Sequence, residues 1–161
     1  MKYLFILLST TLLSACTDTN TQSQSSENDT SSANNSTVYS EKATTKRWYS
    51  TTDVQMGKKV FLANCAACHG DQAQGLVKDW KQTLDNGKYP APPLNGSAHA
   101  WHHPLKILNR TIVYGGIPLG GTMPGFEDKL SQTERLQAIA YFQNFWSDEI
   151  YQAWLNRGGL K

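Results

Sequence analysis

The chain has 161 residues, of which 39% are hydrophobic and 11% aromatic, and a formal net charge of +2. That length suits one ordinary domain with appendages. Near-balanced charge is not the basic excess of a nucleic-acid binder, so no nucleic-acid partner is expected.

Residues 1–15 read as an export signal. Lys2 is the positive start, Leu4, Phe5, Ile6, Leu7, Leu8, Leu12 and Leu13 form a short apolar run, and Ser14 and Ala15 are small residues before a cleavage point. The run is shorter than the roughly 20 apolar residues that span a bilayer. Leu13-Ser14-Ala15-Cys16 resembles the lipobox of bacterial lipoproteins. That resemblance implies a lipid on the Cys16 sulfur, cleavage before Cys16 and anchoring of the chain to a membrane; several acyl chains hold stably where one is marginal. The alternative is an ordinary signal with an incidental cysteine. Thr17, rather than Asp, follows Cys16, which resembles the pattern for the outer membrane and places the protein in the cell envelope, facing the periplasm or exterior.

Residues 16–47 are rich in Ser, Thr, Asn and Gln, as in Thr19-Asn20-Thr21-Gln22-Ser23-Gln24-Ser25-Ser26. Such a segment buries too little apolar surface to offset its ordering entropy and is expected to be a disordered tether. About 30 flexible residues reach roughly 30 Å. Residues 48–161 form the expected domain, with a C-terminal extension.

Thr51, Thr52 and Asp53 are expected to cap a helix over residues 54–64, with Val60, Phe61 and Ala63 as its apolar surface. Next comes Cys65-Ala66-Ala67-Cys68-His69, the C-x-x-C-H attachment pattern for c-type haem. Two thiols at this spacing add across the two vinyl groups as thioethers, and the histidine lies beneath the iron as its proximal ligand. One pattern means one covalent haem c, which also staples a domain with a modest core. Other readings fit less. A thioredoxin-like pair wants a βαβ context. A structural zinc site wants a second ligand pair at finger-like spacing. A plain Cys65–Cys68 disulfide leaves His69 unexplained. With Cys16 assigned to lipid, the odd count of three cysteines needs no disulfide.

Pro92-Pro93-Leu94-Asn95-Gly96 marks a turn. His99-Ala100-Trp101-His102-His103-Pro104 follows, with three readings. It is a structured loop in which Trp101 covers the haem edge and the histidines are solvated; it contacts a haem propionate; or it binds a metal such as copper. A helix is expected over residues 105–113, ending before Gly115-Gly116. Two methionines are available as the sixth iron ligand. Met123 lies in Gly120-Gly121-Thr122-Met123-Pro124-Gly125-Phe126, where glycines permit close backbone approach and Pro124 stiffens the loop. Met56 falls in the first helix and reads as a packing residue. A five-coordinate iron, or His99, His102 or His103 as distal ligand, stays open at this point. His/Met ligation raises the reduction potential and fills both axial positions, which favours electron transfer over catalysis. Ser131-Gln132-Thr133-Glu134 is a capping box, and Leu136, Ile139, Ala140, Phe142, Phe145 and Trp146 recur at helical spacing. In residues 147–161, Ile150, Tyr151, Trp154 and Leu155 either prolong that helix or pack back on the domain. Asn156, Arg157, Gly158 and Gly159 read as a frayed end. No segment shows strand alternation, so the fold class is all-α.

In this order, residues 53–147 resemble a class I monohaem cytochrome c domain. The resemblance implies helices and long loops wrapped around one covalent haem, with Gly57 and Phe61 packed against Tyr141 or Phe142. It implies Met123 as the axial partner of His69, and a Pro92 carbonyl, or alternatively that of Pro93, accepting from His69 Nδ1. It implies an electron-transfer protein rather than an enzyme, cycling iron between Fe(II) and Fe(III), with a membrane complex or a periplasmic oxidoreductase as redox partner. The alternatives are a cytochrome subunit or haem domain of a larger oxidoreductase, and a haem or metal sensor using His99, His102 and His103. From Trp48 onward nine acids face eleven bases, a net +2 that two propionates would nearly cancel, so docking would rest on a small patch at the haem edge.

Overall fold

A computed structural model describes residues 45–161; the export segment, Cys16 and residues 17–44 lie outside the described residues. Among the described residues all regular elements are helical.

The first helix, α1 (Thr51–Asn64), begins three residues earlier than expected. Its cap is Ser50. The Ser50 hydroxyl accepts from the Asp53 amide at 3.1 Å, and the Asp53 carboxylate accepts from the Ser50 amide at 3.0 Å. Thr51 and Thr52 are thus the first helical turn and not its cap. A short α2 (Ala66–His69) continues almost without pause, because the Cys65 amide still bonds the Phe61 carbonyl at 2.8 Å. Gly70, at φ 75°, ends it.

A long loop then runs to a 3-10 turn (His99–His102), and α3 (Leu105–Tyr114) follows from Pro104. It stops at Gly115, whose φ of 71° and tight packing against the Met123 carbonyl leave no room for a side chain. A second 3-10 turn (Ile117–Leu119) leads into the segment holding Met123. The helix α4 (Gln132–Gln143) starts on the expected Ser131–Glu134 capping box but ends before Phe145 and Trp146. Ser147 opens a new helix, α5 (Asp148–Asn156), by accepting from the Ile150 amide.

The crossing of α1 on α4 organises the core. Gly57 is buried, and a methyl group there would collide with the Gln137 carbonyl. One turn on, Phe61 meets Tyr141 with ring centroids 5.2 Å apart; Tyr141, not Phe142, is therefore its partner. Met56, expected to pack, is 44% exposed: it lies one position before the buried glycine, on the solvent side of α1.

The C-terminal segment packs back and does not fray. Tyr151 and Trp154 are buried. The Trp154 indole donates to the His103 carbonyl at 2.8 Å, and the Gly159 carbonyl accepts from the Leu105 amide at 2.7 Å. Gly159 lies against the Trp154 ring too closely for any side chain. Of the two glycines that suggest fraying, Gly159 is there because the indole needs the space and Gly158 because the backbone turns at φ 83°. At the other end, Arg47 donates to the Trp146 carbonyl at 3.0 Å and to Asp148 at 2.9 Å, and stacks over Tyr151 at 4.1 Å. Trp48 donates its indole N–H to Gln143 and its amide to the Tyr151 hydroxyl. No helix among the described residues is long and apolar enough to cross a membrane.

Candidate haem-binding site

Cys65, Cys68 and His69 share one helical turn: the amides of Cys68 and His69 both reach the Cys65 carbonyl, at 3.1 and 2.9 Å. Both cysteines are free thiols, Cys65 half-buried and Cys68 exposed. Burial, aided by Cys68 nearby and opposed by Lys129, pushes the Cys65 thiol up to about 11. A buried thiol of this kind resists becoming the thiolate that a zinc site needs. A thioether carries no charge and suits the same environment.

His69 is buried, and its Nδ1 lies 2.9 Å from the Pro92 carbonyl. With the carbonyl as acceptor, Nδ1 carries the hydrogen and Nε2 is left as the coordinating atom. Burial holds the ring below its ordinary pKa, against the opposing pull of the Pro92 carbonyl. The neutral form is the one that binds metal. Pro93 does not supply the carbonyl; it is buried, with its ring against Gly75.

Met123 is partly buried against the hydrophobic core. Its carbonyl accepts from the Gly116 amide at 2.9 Å, and Gly121 bonds the Gly116 carbonyl at 2.9 Å. Gly125 approaches the Val113 carbonyl so closely that a side chain would not fit. These glycines fold the methionine loop tightly onto the end of α3. Across the loops, Lys88 donates to the Gly120 carbonyl at 3.1 Å.

The residues fit a haem. The helical turn supplies two thiols and a neutral imidazole with a committed Nδ1. Large apolar side chains stand exposed in the stretches after His69 and before Met123, among them Leu76 at 63%, Tyr89 at 63% and Leu119 at 91%. A flat apolar group would give such side chains something to cover.

The histidine-rich loop does not form a three-ligand site: no group of three or more His, Cys, Asp or Glu could hold a metal among the described residues. His99 lies by Trp80, with centroids 5.3 Å apart, and by His103 at 5.8 Å, while His102 meets Trp101 edge-on at 4.1 Å. Trp101 is covered by the Arg157 guanidinium at 5.1 Å, so it serves the contact between this loop and the end of α5. His99 and Pro92 border one open cleft of about 310 Å³, with Trp80, Lys81, Tyr89 and Pro90.

Sequence reasoning missed the residues that hold this region from behind. Ala73, fully buried at φ 57°, accepts through its carbonyl from both Leu94 and Asn95. Trp146 donates its indole N–H to the Leu94 carbonyl at 2.7 Å. An alanine in the left-handed region leaves no mark in a sequence. Trp146 had been assigned to the apolar face of a longer helix.

Residues 52–142, more than half of the chain, match the family described as "Cytochrome C oxidase, cbb3-type, subunit III". The chain is 31% identical over 93 residues to the cbb3-type cytochrome c oxidase subunit CcoP of Rhodobacter capsulatus, covering 53% of this chain and 27% of the relative. It is 32% identical over 90 residues to subunit FixP of Bradyrhizobium sp. (strain ORS 278), covering 56% and 26%. It is 26% identical over 99 residues to the cytochrome c subunit of the alcohol dehydrogenase (quinone) of Gluconobacter oxydans (strain 621H), covering 57% and 18%. The matched part thus spans about a quarter, or less, of these relatives' length. No solved structure matches.

Proposed function

Because the chain belongs to the family of cbb3-type cytochrome c oxidase subunit III, with an all-α class I monohaem cytochrome c domain, we propose that it carries single electrons between redox partners while tethered to a bacterial membrane. Cys65 and Cys68 would hold one haem c by thioethers, and His69 and Met123 would ligate its iron. When bound, the haem supplies one-electron Fe(II)/Fe(III) cycling. The chain's own residues bind it, orient it and set its potential. His69 is held neutral and oriented by Pro92. Met123 is a neutral thioether on a glycine-tightened loop, a donor that favours the reduced iron and so raises the potential. With His69 and Met123 both given to the iron, substrate would have no place on it, and the domain itself would do no bond-making chemistry.

The observation that carries this reading is the 2.9 Å contact from His69 Nδ1 to the Pro92 carbonyl, on the same helical turn as two free thiols. The relatives' names favour a second form of it, in which the chain is the cytochrome component of a larger membrane oxidoreductase. Either form suits a domain 48–161 on a tether of residues 16–47 with lipid at Cys16, facing the periplasm or exterior. Tethering raises the local concentration of partners in the same membrane.

The test is the purified mature protein. A pyridine haemochrome spectrum and intact mass should show one covalent porphyrin. Potentiometric titration of Met123→Ala should give a lower potential and loss of the six-coordinate spectrum. An unchanged titration removes Met123 from the site, and a chain with no porphyrin removes the whole reading. Mass of the N-terminal peptide separately tests lipid on Cys16.

A further inference from the structure

The contact between His69 and Pro92 raises a question of support. Pro92 and Pro93 have no amide hydrogen, so this stretch cannot anchor itself through backbone donors. The Pro92 carbonyl must be held in place by its neighbours. Leu94, two residues on, is fixed at both of its polar groups. Its amide donates to the Ala73 carbonyl at 2.7 Å, with the Asn95 amide joining at 3.1 Å. Its carbonyl accepts from the Trp146 indole at 2.7 Å.

The Ala73 side of this clamp belongs to the haem-motif turn itself. Ala73 bonds back to the Gly70 carbonyl at 2.9 Å, and Gly75 to the His69 carbonyl at 2.7 Å. The Trp146 side comes from a different part of the chain, the junction between α4 and α5. The indole is 2% exposed. Phe142 and Trp154 flank it at 6.2 and 5.9 Å, and a methyl group on Gly96 would lie 3.2 Å from its Cδ1. A ring so confined has little freedom to swing its N–H away from Leu94.

We propose that Trp146 is a positioning residue for the axial histidine: through Leu94 it sets how firmly Pro92 takes the His69 hydrogen, and so helps set the reduction potential. The inference rests on the cytochrome reading above. A firm Nδ1 hydrogen bond makes the imidazole more basic and favours ferric iron; a loosened one favours ferrous iron. Loss of the indole N–H should therefore raise the potential.

The experiment compares wild type, Trp146→Phe and Trp154→Phe as full-length holoproteins. Trp154 is the matched control, since it is equally buried and also donates its indole N–H to a backbone carbonyl, that of His103. Trp146→Phe should raise the Fe(II):Fe(III) ratio at fixed ambient potential about threefold, roughly 30 mV at 59 mV per tenfold change. By NMR of the ferrous protein, the His69 ring N–H should exchange faster. Trp154→Phe keeps an aromatic ring against Trp146 and removes only its own N–H to His103, so it should lower the melting temperature and leave both readouts at wild-type values. If Trp146→Phe does not fold, Trp146→Tyr fills more of the indole's space, also lacks its N–H, and should move the potential in the same direction. A haem-loaded Trp146→Phe, or Trp146→Tyr in its place, with wild-type potential and ring exchange overturns the inference and leaves the cytochrome reading standing. A wild-type chain without covalent porphyrin overturns both.

Discussion

Gly57 shows what one absent methyl group decides. The Gln137 carbonyl of α4 occupies the place where a side chain would begin, and Tyr141 closes the other side. The backbone carbonyl has no rotamer by which to move aside, so Gly57→Ala must push two helices apart. Overpacking a well-filled core costs about 1–3 kcal/mol, and a clash with backbone puts this site at the upper end, about 3 kcal/mol. Urea unfolding of the variant should show that loss. A change below about 0.5 kcal/mol, the usual range for a surface position, would mean the helices do not meet here. Gly57 and Phe61 are legible as half of a packing pair only through the resemblance to class I cytochromes c; a glycine one helical turn before an aromatic does not by itself announce a helix crossing. Met56 was misjudged for a related reason: apolar type alone does not tell which side of the helix a residue faces when its neighbours on both sides are mixed. At the site, residue types with fixed chemistry, the two cysteines, the histidine and the prolines, stood out at once. The brace by Ala73 and Trp146 did not, since it depends on a backbone angle and on one N–H of a residue that also looks like ordinary core.

Among the elements, both capping boxes behave alike and carry a pH signature. Asp53 is held below the ordinary carboxylate value of 3.8 chiefly by the Ser50 hydroxyl, with the Ser50 amide adding to it. Glu134 is held below 4.5 by the Ser131 amide and then its hydroxyl. Each folded-state pKa is depressed, so the unfolded chain takes up protons first as pH falls. The stability from these caps is present above the ordinary carboxylate values and is lost as pH drops through the folded-state values. Ser50→Ala should cost about 1 kcal/mol at pH 7. The gap between variant and wild type in urea unfolding should narrow between pH 5 and pH 3. An equal gap at both pH values would show that Asp53 is not held by Ser50. The Ser131 cap was readable because an apolar periodic stretch follows it directly. The start of α1 lies three residues before the expected Val54 because Ser50, Thr51, Thr52 and Asp53 are all cap formers in a row, and local sequence alone does not choose among them. The end of α4 was misplaced for the opposite reason: Phe145 and Trp146 keep the apolar spacing after the helix has stopped, since they face the core from the turn before α5.

For the molecule as a whole, the least legible feature is the closure of its two ends. Arg47 and Asp148 are 101 residues apart, and Trp48 and Tyr151 are 103 apart. Nothing in local periodicity announces a contact at that separation, and Arg47 adjoins a polar segment that reads as tether. The arginine nevertheless makes two hydrogen bonds and a stacked contact on α5 and its cap. Both charged side chains are partly buried, at 22% and 28% exposure, so the pair is screened less than a surface bridge. The clasp also has a cost, because Arg47 Nη1, Tyr49 Oη and Gln143 Nε2 are buried with no well-formed hydrogen bond among the described residues. Charge-assisted hydrogen bonds contribute about 1.5–3 kcal/mol. Removing Arg47 also removes one of the three unpaired groups, which places the expected loss for Arg47→Ala at the lower end, about 1.5 kcal/mol. At roughly 4 °C per kcal/mol, the value between those of smaller and larger domains, the melting temperature should fall by about 6 °C. Asp148→Ala should cost a similar amount, and the double variant should cost clearly less than the two added together, because the pair shares one interaction. The reduction potential should stay at its wild-type value in all three, since the clasp touches Trp146 at its backbone carbonyl and leaves the indole bond to Leu94 in place. Strict additivity of the two losses would show that the Arg47–Asp148 pair itself contributes nothing to the clasp.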